Sequence, residues 1–417
     1  MFTFLYRTWE SLRGAPATPF MAFFVYVWLL WTAKALLARR YHAAAGSGVE
    51  RTNTVIVPVF NESAELFASC LASIRANEPT ELIVVVDGGA PDLASVAAEY
   101  SDRVLRVPKA GKRTAIAAGL AASDPETDVV VVVDSDTLWT PGTLAELMRP
   151  FDDPRVGGVT PRQAIFGPER SGSRRLAAWI EDLRYHLTVP AQSVFGQVGC
   201  LAGRTIAYRR EAFEPAVERL VEQRVLGVQI EVGDDRVLTS ELLRNGWRTQ
   251  YQSSAVVLTD APDDWRGFWR QQLRWGRSSQ RETLLTLRWL WRKPAAFVCF
   301  VSDIVTPFAL YGVIAISVAR GLSGVHAGTA GNMPVAPELL LAYPGMLTSI
   351  GIRQIGHFRR TPGDLRHLPL FVLQLTFVMV PIRIVAFATM LHQDWGTRTT
   401  PVHGGIRETA CAESAHG

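Results

Sequence analysis

Long apolar runs stand at the two ends of the chain, and short apolar runs rich in valine stand between them. The first long run, Phe20 to Leu37, is interrupted only by Lys34 and is long enough to cross a bilayer core of roughly 30 Å. Three more, Pro294 to Ala319, Pro334 to Ile355 and Leu368 to Leu391, occupy the last third. Between Arg40 and Trp265 no run approaches spanning length. The pattern predicts a transmembrane anchor over 1–40, a large water-facing domain over 50–265, interfacial helices over 266–293, a membrane region over 294–391 and a tail over 392–417.

Basic residues orient these segments. Arg39 and Arg40 follow the first run at once, a bias made mild by Arg7 and Arg13 before it, so the domain that follows is expected in the cytoplasm. The connection Arg320 to Asn332 is nearly uncharged, whereas Gly356 to His367 carries Arg359, Arg360 and Arg366. A cleaved signal peptide would place its basic residues before the apolar stretch, so an uncleaved helix is the better reading. Asp303 and Arg383 interrupt apolar segments, where they would line a wet channel or make an internal polar contact.

Within the middle domain, Thr54 to Val59, Leu82 to Val86 and Val129 to Val133 are too short for helices and too apolar for half-exposed strands. They read as parallel strands buried on both faces. Ser63 to Ala76 and Lys112 to Ala122 read as helices between them, which makes a doubly wound α/β sheet. Ligands in such sheets bind beyond the carboxyl ends of the strands. Each strand there runs into polar residues: Phe60-Asn61-Glu62, Asp87-Gly88-Gly89 and Asp134-Ser135-Asp136.

Composition narrows the classes. Among 417 residues, 43 Lys and Arg oppose 39 Asp and Glu, a net charge of +4, which is no nucleic-acid footprint. Four scattered cysteines form no CxxC pair, which argues against structural zinc or a disulfide framework. Neither GxGxxG nor GxxxxGK[ST] occurs. Asp134-Ser135-Asp136 instead ends a five-valine strand, where two carboxylates one residue apart would meet a hard divalent cation that keeps water and diphosphate oxygens as its other ligands. Gly233-Asp234-Asp235-Arg236 opens a helical run to Leu243, and Gln271-Gln272-Leu273-Arg274-Trp275 interleaves Arg and Trp on a helix. Singly, these would be an ordinary turn, an N-cap and an amphipathic interfacial helix.

Asp87, Asp134-Ser135-Asp136, Gly233-Asp234-Asp235-Arg236 and Gln271-x-x-Arg274-Trp275, in that order and followed by membrane spans, resemble the processive family-two glycosyltransferases. The closer likeness is to the hyaluronan synthase, chitin synthase and rhizobial chito-oligosaccharide synthase branch. Trp395-Gly396-Thr397-Arg398 is typical of that branch too. The resemblance implies a GT-A-like nucleotide-diphospho-sugar transferase domain with α-helical transmembrane segments at both ends. It further implies a multi-pass membrane enzyme that inverts UDP-sugars into a β-linked polysaccharide and exports it. The donors would be UDP-GlcNAc, with or without UDP-GlcA. The alternatives are a chitin-type synthase using UDP-GlcNAc only and a non-processive single-sugar transferase.

The roles it implies run residue by residue. Phe60 would stack on the uracil, Asp87 would recognise the base, and Lys112, Arg113 and Arg274 would lie by the diphosphate. Asp136, supported by Asp134, would hold Mg²⁺ or Mn²⁺. Asp235 would be the general base, with Asp234 beside it. Cys200, Asp234, Gln271 and Trp275 would lie by the acceptor, and Trp395 and Arg398 would gate the site or contact the diphosphate. The family commonly has Pro where Arg204 stands. A thin channel wall of four spans would allow a homodimer. Three spans after the cytoplasmic domain would leave Trp395 to Arg398 outside, so Leu368 to Leu391 is expected to bend or re-enter around Pro381-Ile382-Arg383, unless another run lies in the interface.

Overall fold

The computed structural model describes residues 18–47, 49–88, 91–326 and 337–392. Trp395 and Arg398 therefore lie outside the described residues. The three valine-rich runs are β1 (Asn53–Val59), β2 (Glu81–Asp87) and β4 (Val129–Val133), with β3 (Arg103–Val107) at the sheet edge. Every residue of β1 and β4 is buried, because helices cover both faces. On one face Val55, Val57 and Val59 pack with Phe67 and Leu71 of the helix Ala64–Arg75. On the other, Ile56 packs with Ala115 and Ile116 of the helix Lys112–Ala122. The capping region expected at Asn61 to Ser63 is realised by Ser63, whose side chain accepts from Leu66 N–H.

The sheet is larger and more mixed than the valine runs predict. Among the described residues its eight strands run β3-β2-β1-β4-β7-β6-β10-β5, adding β5 (Thr137–Trp139), β6 (Val156–Ile165), β7 (Thr205–Arg209) and β10 (Arg248–Thr259), while β8 (Arg224–Val225) and β9 (Val228–Gln229) form a separate hairpin. The first four are mutually parallel, and β7 pairs antiparallel with both β4 and β6. The register Val133↔Thr205 sets the end of β4 directly beside the residues that lead into β7.

Among the described residues, three helices are long and apolar enough to cross a membrane: Phe20–Ala38, Pro294–Ala319 and Pro362–Ala388. The run at Pro334 to Ile355 forms a helix of 17 residues, Pro337–Arg353. The last segment is irregular where its prolines require it. A π-helical turn, Leu375–Met379, precedes Val380-Pro381, and another, Arg184–Thr188, precedes Val189-Pro190. Proline has no N–H to continue the ladder, and widening by one residue accommodates the loss. The Tyr311 hydroxyl donates to the Thr376 carbonyl in the first of these turns (3.1 Å).

Both ends of that segment touch helices that lie before the membrane region in the chain. At its start the Trp179 indole N–H, on the helix Gly172–Leu183, donates to Asp364 (3.0 Å). At its end Arg277 donates to Thr389 (2.9 Å) and Arg281 to the Met390 carbonyl (3.0 Å), both from the helix Trp265–Leu290. The interfacial stretch expected over 266–293 is thus largely one 26-residue helix.

Candidate active site

Two consecutive residues, Gly203 and Arg204, hold the site together. They precede β7, so the β4–β7 pairing brings them to Asp134, whose N–H donates to the Arg204 carbonyl (3.0 Å). The Gly203 N–H donates to Asp235 Oδ2 (3.2 Å). The Arg204 guanidinium lies 5.2 Å from the centre of the Trp275 ring. The expected cation-site strand end, general base and acceptor tryptophan thus meet at one dipeptide.

Lys112 closes the cluster from the opposite wall. As the first residue of its helix it extends Nζ between Asp134 Oδ1 (2.7 Å) and Asp234 Oδ2 (2.8 Å). Burial would lower the Lys112 pKa, but these two carboxylates outweigh it and hold the ammonium well above its usual value. The same contact separates the neighbouring aspartates. Burial raises Asp234, yet Lys112 draws it below the usual carboxylate range, while Asp235 is pushed up by burial and by the charge of Asp234. Gly233 supplies the sharp entry to this helix with φ +92°, and a side chain there would collide with Ser278. The Arg236 N–H donates to Asp235 Oδ1 (2.7 Å), so both oxygens of the expected base are oriented by main chain.

Arg236 points the other way, toward Phe300 of the helix that begins at Pro294. Buried, it donates to the Gly199 carbonyl (3.3 Å) and Ser279 (2.9 Å), with its guanidinium 3.8 Å from the Phe300 ring centre. Cys200 donates weakly to Asp235 (3.8 Å), and burial followed by the Asp235 charge pushes its thiol up to about 11. The sulfur therefore stays protonated and is no nucleophile near neutral pH.

The donor side is held by backbone. Both Asp87 oxygens accept main-chain N–H groups, from Ala110 (2.7 Å) and Gly111 (2.9 Å), which fixes the loop before Lys112. Lys109 Nζ sits 4.5 Å over the Phe60 ring. Arg113, expected beside the diphosphate, is buried against the Leu220 and Val232 carbonyls (2.9 and 3.2 Å) and Gln223 (3.0 Å). Its side chain braces the segment before Gly233, and its charge still helps Lys112 hold the Asp234 carboxyl down. Asp136 lies two residues past Asp134, within 3.5 Å of the Thr137 hydroxyl. Gln271 and Arg274 occupy the turn before Trp275, all three half-buried.

The donor set suits a hard divalent cation in part. Among the described residues no group of three or more His, Cys, Asp or Glu side chains is placed to hold a metal ion. Asp134 and Asp136 offer one or two carboxylates, and magnesium-type sites leave the other positions to water and phosphate oxygens. Asp134 already accepts a cation, the Lys112 ammonium, where such a ligand would bind.

Residues 51–278 match the family model described as "Glycosyltransferase like family 2". An N-acetylglucosaminyltransferase of Rhizobium meliloti (strain 1021) is 32% identical, covering 84% of this chain and 83% of its own. A hyaluronan synthase of Streptococcus pyogenes serotype M3 is 27% identical over 86% of each. Among solved structures, a mannosyltransferase from Pyrobaculum calidifontis in complex with GDP-Man and Mn²⁺ superposes with a TM-score of 0.60 at 20% identity, over 87% of this chain and 99% of that one. The mixed sheet is therefore of the GT-A type.

Proposed function

The chain belongs to the glycosyltransferase family two, and from that premise we propose that it is a membrane-embedded, metal-dependent, inverting synthase that polymerises UDP-sugars into a β-linked polysaccharide. The observation that carries this is the Gly203-Arg204 junction, which brings Asp134, Asp235 and Trp275 to one place. Inversion requires a base on the face opposite the leaving group. Asp235, aimed by the Gly203 and Arg236 N–H groups, takes the proton of the acceptor hydroxyl. Lys112 and Arg274 stand for the charge that develops on the departing diphosphate. Asp136, with Asp134, would hold Mg²⁺ or Mn²⁺, which when bound offsets that same charge. Phe60 and Asp87 frame the base, and the Trp275 indole offers the acceptor sugar an apolar face. Trp395 and Arg398 would close the site from the tail.

The same proposal covers topology. A helical segment of 27 residues spans roughly 40 Å. Because Pro362–Ala388 meets the α/β-domain helix Gly172–Leu183 at its start and the interfacial helix Trp265–Leu290 at its end, it lies along the interface or re-enters, leaving the tail on the cytoplasmic side with the donor. The Rhizobium relative's higher identity favours a second reading, a synthase that uses UDP-GlcNAc alone. Purified protein incubated with Mg²⁺ or Mn²⁺ and UDP-GlcNAc, with and without UDP-GlcA, tests both. A polymer digested by hyaluronidase supports the alternating reading, and one digested by chitinase the second. Single-sugar products alone would overturn both.

A further inference from the structure

We propose that Arg204 is a positioning residue for the acceptor: its guanidinium, clamped by Glu181 and Gln163, forms the floor beneath Trp275 and fixes the plane of the indole. The inference rests on the reading of the chain as a polysaccharide synthase. Arg204 is only 9% exposed, and its Nη1 donates to Glu181 Oε1 (3.0 Å) and Gln163 Oε1 (2.9 Å). These two acceptors come from different layers, Gln163 from β6 and Glu181 from the helix Gly172–Leu183. The Gln163 amide is itself fixed, because its NH₂ donates to the Ala202 carbonyl (3.2 Å) and leaves its oxygen for Arg204. Glu181, buried in turn, also lies 3.9 Å from Arg184, whose Nη2 donates to the Cys200 carbonyl (3.4 Å).

A guanidinium held in this way under a partly desolvated indole is attracted by the ring quadrupole and resists tilting of the ring. Ion pairs with little solvent exposure add little net stability but select one arrangement, which is what a platform for a sugar face requires. Because Gly203 orients Asp235 while its neighbour supports Trp275, the base and the platform share one backbone reference. A proline at 204 would remove both the cation and its clamp.

Full-length protein in nanodiscs, given Mn²⁺, UDP-GlcNAc and chito-oligosaccharides of two to four sugars, provides the test. Arg204→Ala is expected to raise the acceptor KM about tenfold, the size of a desolvated cation–π contact, with the donor KM within twofold of wild type. Arg204→Lys, which keeps the charge without the planar fork, is expected to recover part of the loss. On a Trp275→Ala background, Arg204→Ala is expected to add less than twofold, since the two act through one contact. Should Arg204→Ala fail to fold, Glu181→Gln supplies the readout, with a smaller rise in acceptor KM and none in donor KM. An unchanged acceptor KM in an active enzyme, or multiplicative effects of Arg204 and Trp275, would overturn the inference alone. A wild-type protein that transfers no sugar and releases no UDP would overturn the functional reading beneath it.

Discussion

The two halves of the sheet serve one cleft by different means. In the parallel half, β1 to β4, main chain does most of the holding: Asp87 accepts two backbone N–H groups, and Asp134 is placed by its pairing with Arg204. In the mixed half, β5, β6, β7 and β10, side chains hold side chains, through Arg204, Glu181, Gln163 and Trp275. A nucleotide diphosphate has a constant shape, and backbone geometry tolerates most substitutions around it. Acceptor chemistry varies between enzymes, and a network of side chains is what substitution can retune. Lys112, like the Gly203-Arg204 dipeptide, joins the halves, since its two partners come one from the residue that follows β4 and one from the helix Asp234–Arg244.

Breaking that joint should have the largest effect. Lys112→Met leaves Asp134 and Asp234 facing each other without a cation, and UDP release is expected to fall about a hundredfold or more, the usual size for one electrostatic contact in a transition state. Lys112→Arg should restore part of it. Wild-type rates in Lys112→Met, measured by UDP release from membranes, would separate the two halves and refute the joint.

A smaller effect is expected where the mixed half meets the membrane. A Cβ at Gly199 would collide with the buried Phe300 ring, which Arg236 also covers. Gly199→Ala therefore overpacks a tight contact, at about 1–3 kcal/mol, seen as a melting temperature several degrees lower. Gly312→Ala has open space around the added carbon and is the control, expected to leave stability unchanged or slightly raised. Equal losses in the two variants would contradict the contact.

The smallest effect concerns pH. His357 bridges Asp182 (3.3 Å) and Asp364 (2.9 Å), docking the short helix Ile355–Arg360 on the helix Gly172–Leu183. Burial alone would lower its pKa, but the two carboxylates outweigh it and raise it above 6.5. A raised folded-state pKa stabilises docking fully below about 6.5 and ceases to do so as pH rises through the folded value. Hydrogen-exchange protection factors over residues 355–367, corrected for the intrinsic pH dependence of exchange, should fall a few-fold across that window in wild type and stay flat in His357→Gln. A flat wild-type profile would remove this contact from the account.

Legibility in the sequence divides along the same line. The parallel half was readable because buried parallel strands are written as unbroken valine runs: β4 matches its expected bounds, and β1 and β2 extend theirs by one residue at the start of β1 and at each end of β2. The other strands carry no such mark. β10 runs RTQYQSSAVVLT with six polar residues among its first seven, and β6 contains Gly157, Gly158 and Pro161, all of which read as loop. Family motifs placed Asp134, Asp235 and Trp275, and the structure gathers them around one dipeptide. They also placed Arg113 by the diphosphate, whereas the fold turns it toward Leu220 and Val232, since successive residues on a helix face directions about 100° apart. Glu181 and Gln163 gave no sequence signal at all, being single polar residues far apart in the chain.

The central claim is that Asp235 is the base of a site whose donor half stands without it. Asp235→Asn tests this in one preparation, by isothermal titration of UDP in the presence of Mn²⁺ alongside sugar transfer from UDP-GlcNAc. The expected result is a UDP affinity within a few-fold of wild type and transfer reduced by about 10²- to 10⁴-fold. Transfer at the wild-type rate would contradict the account.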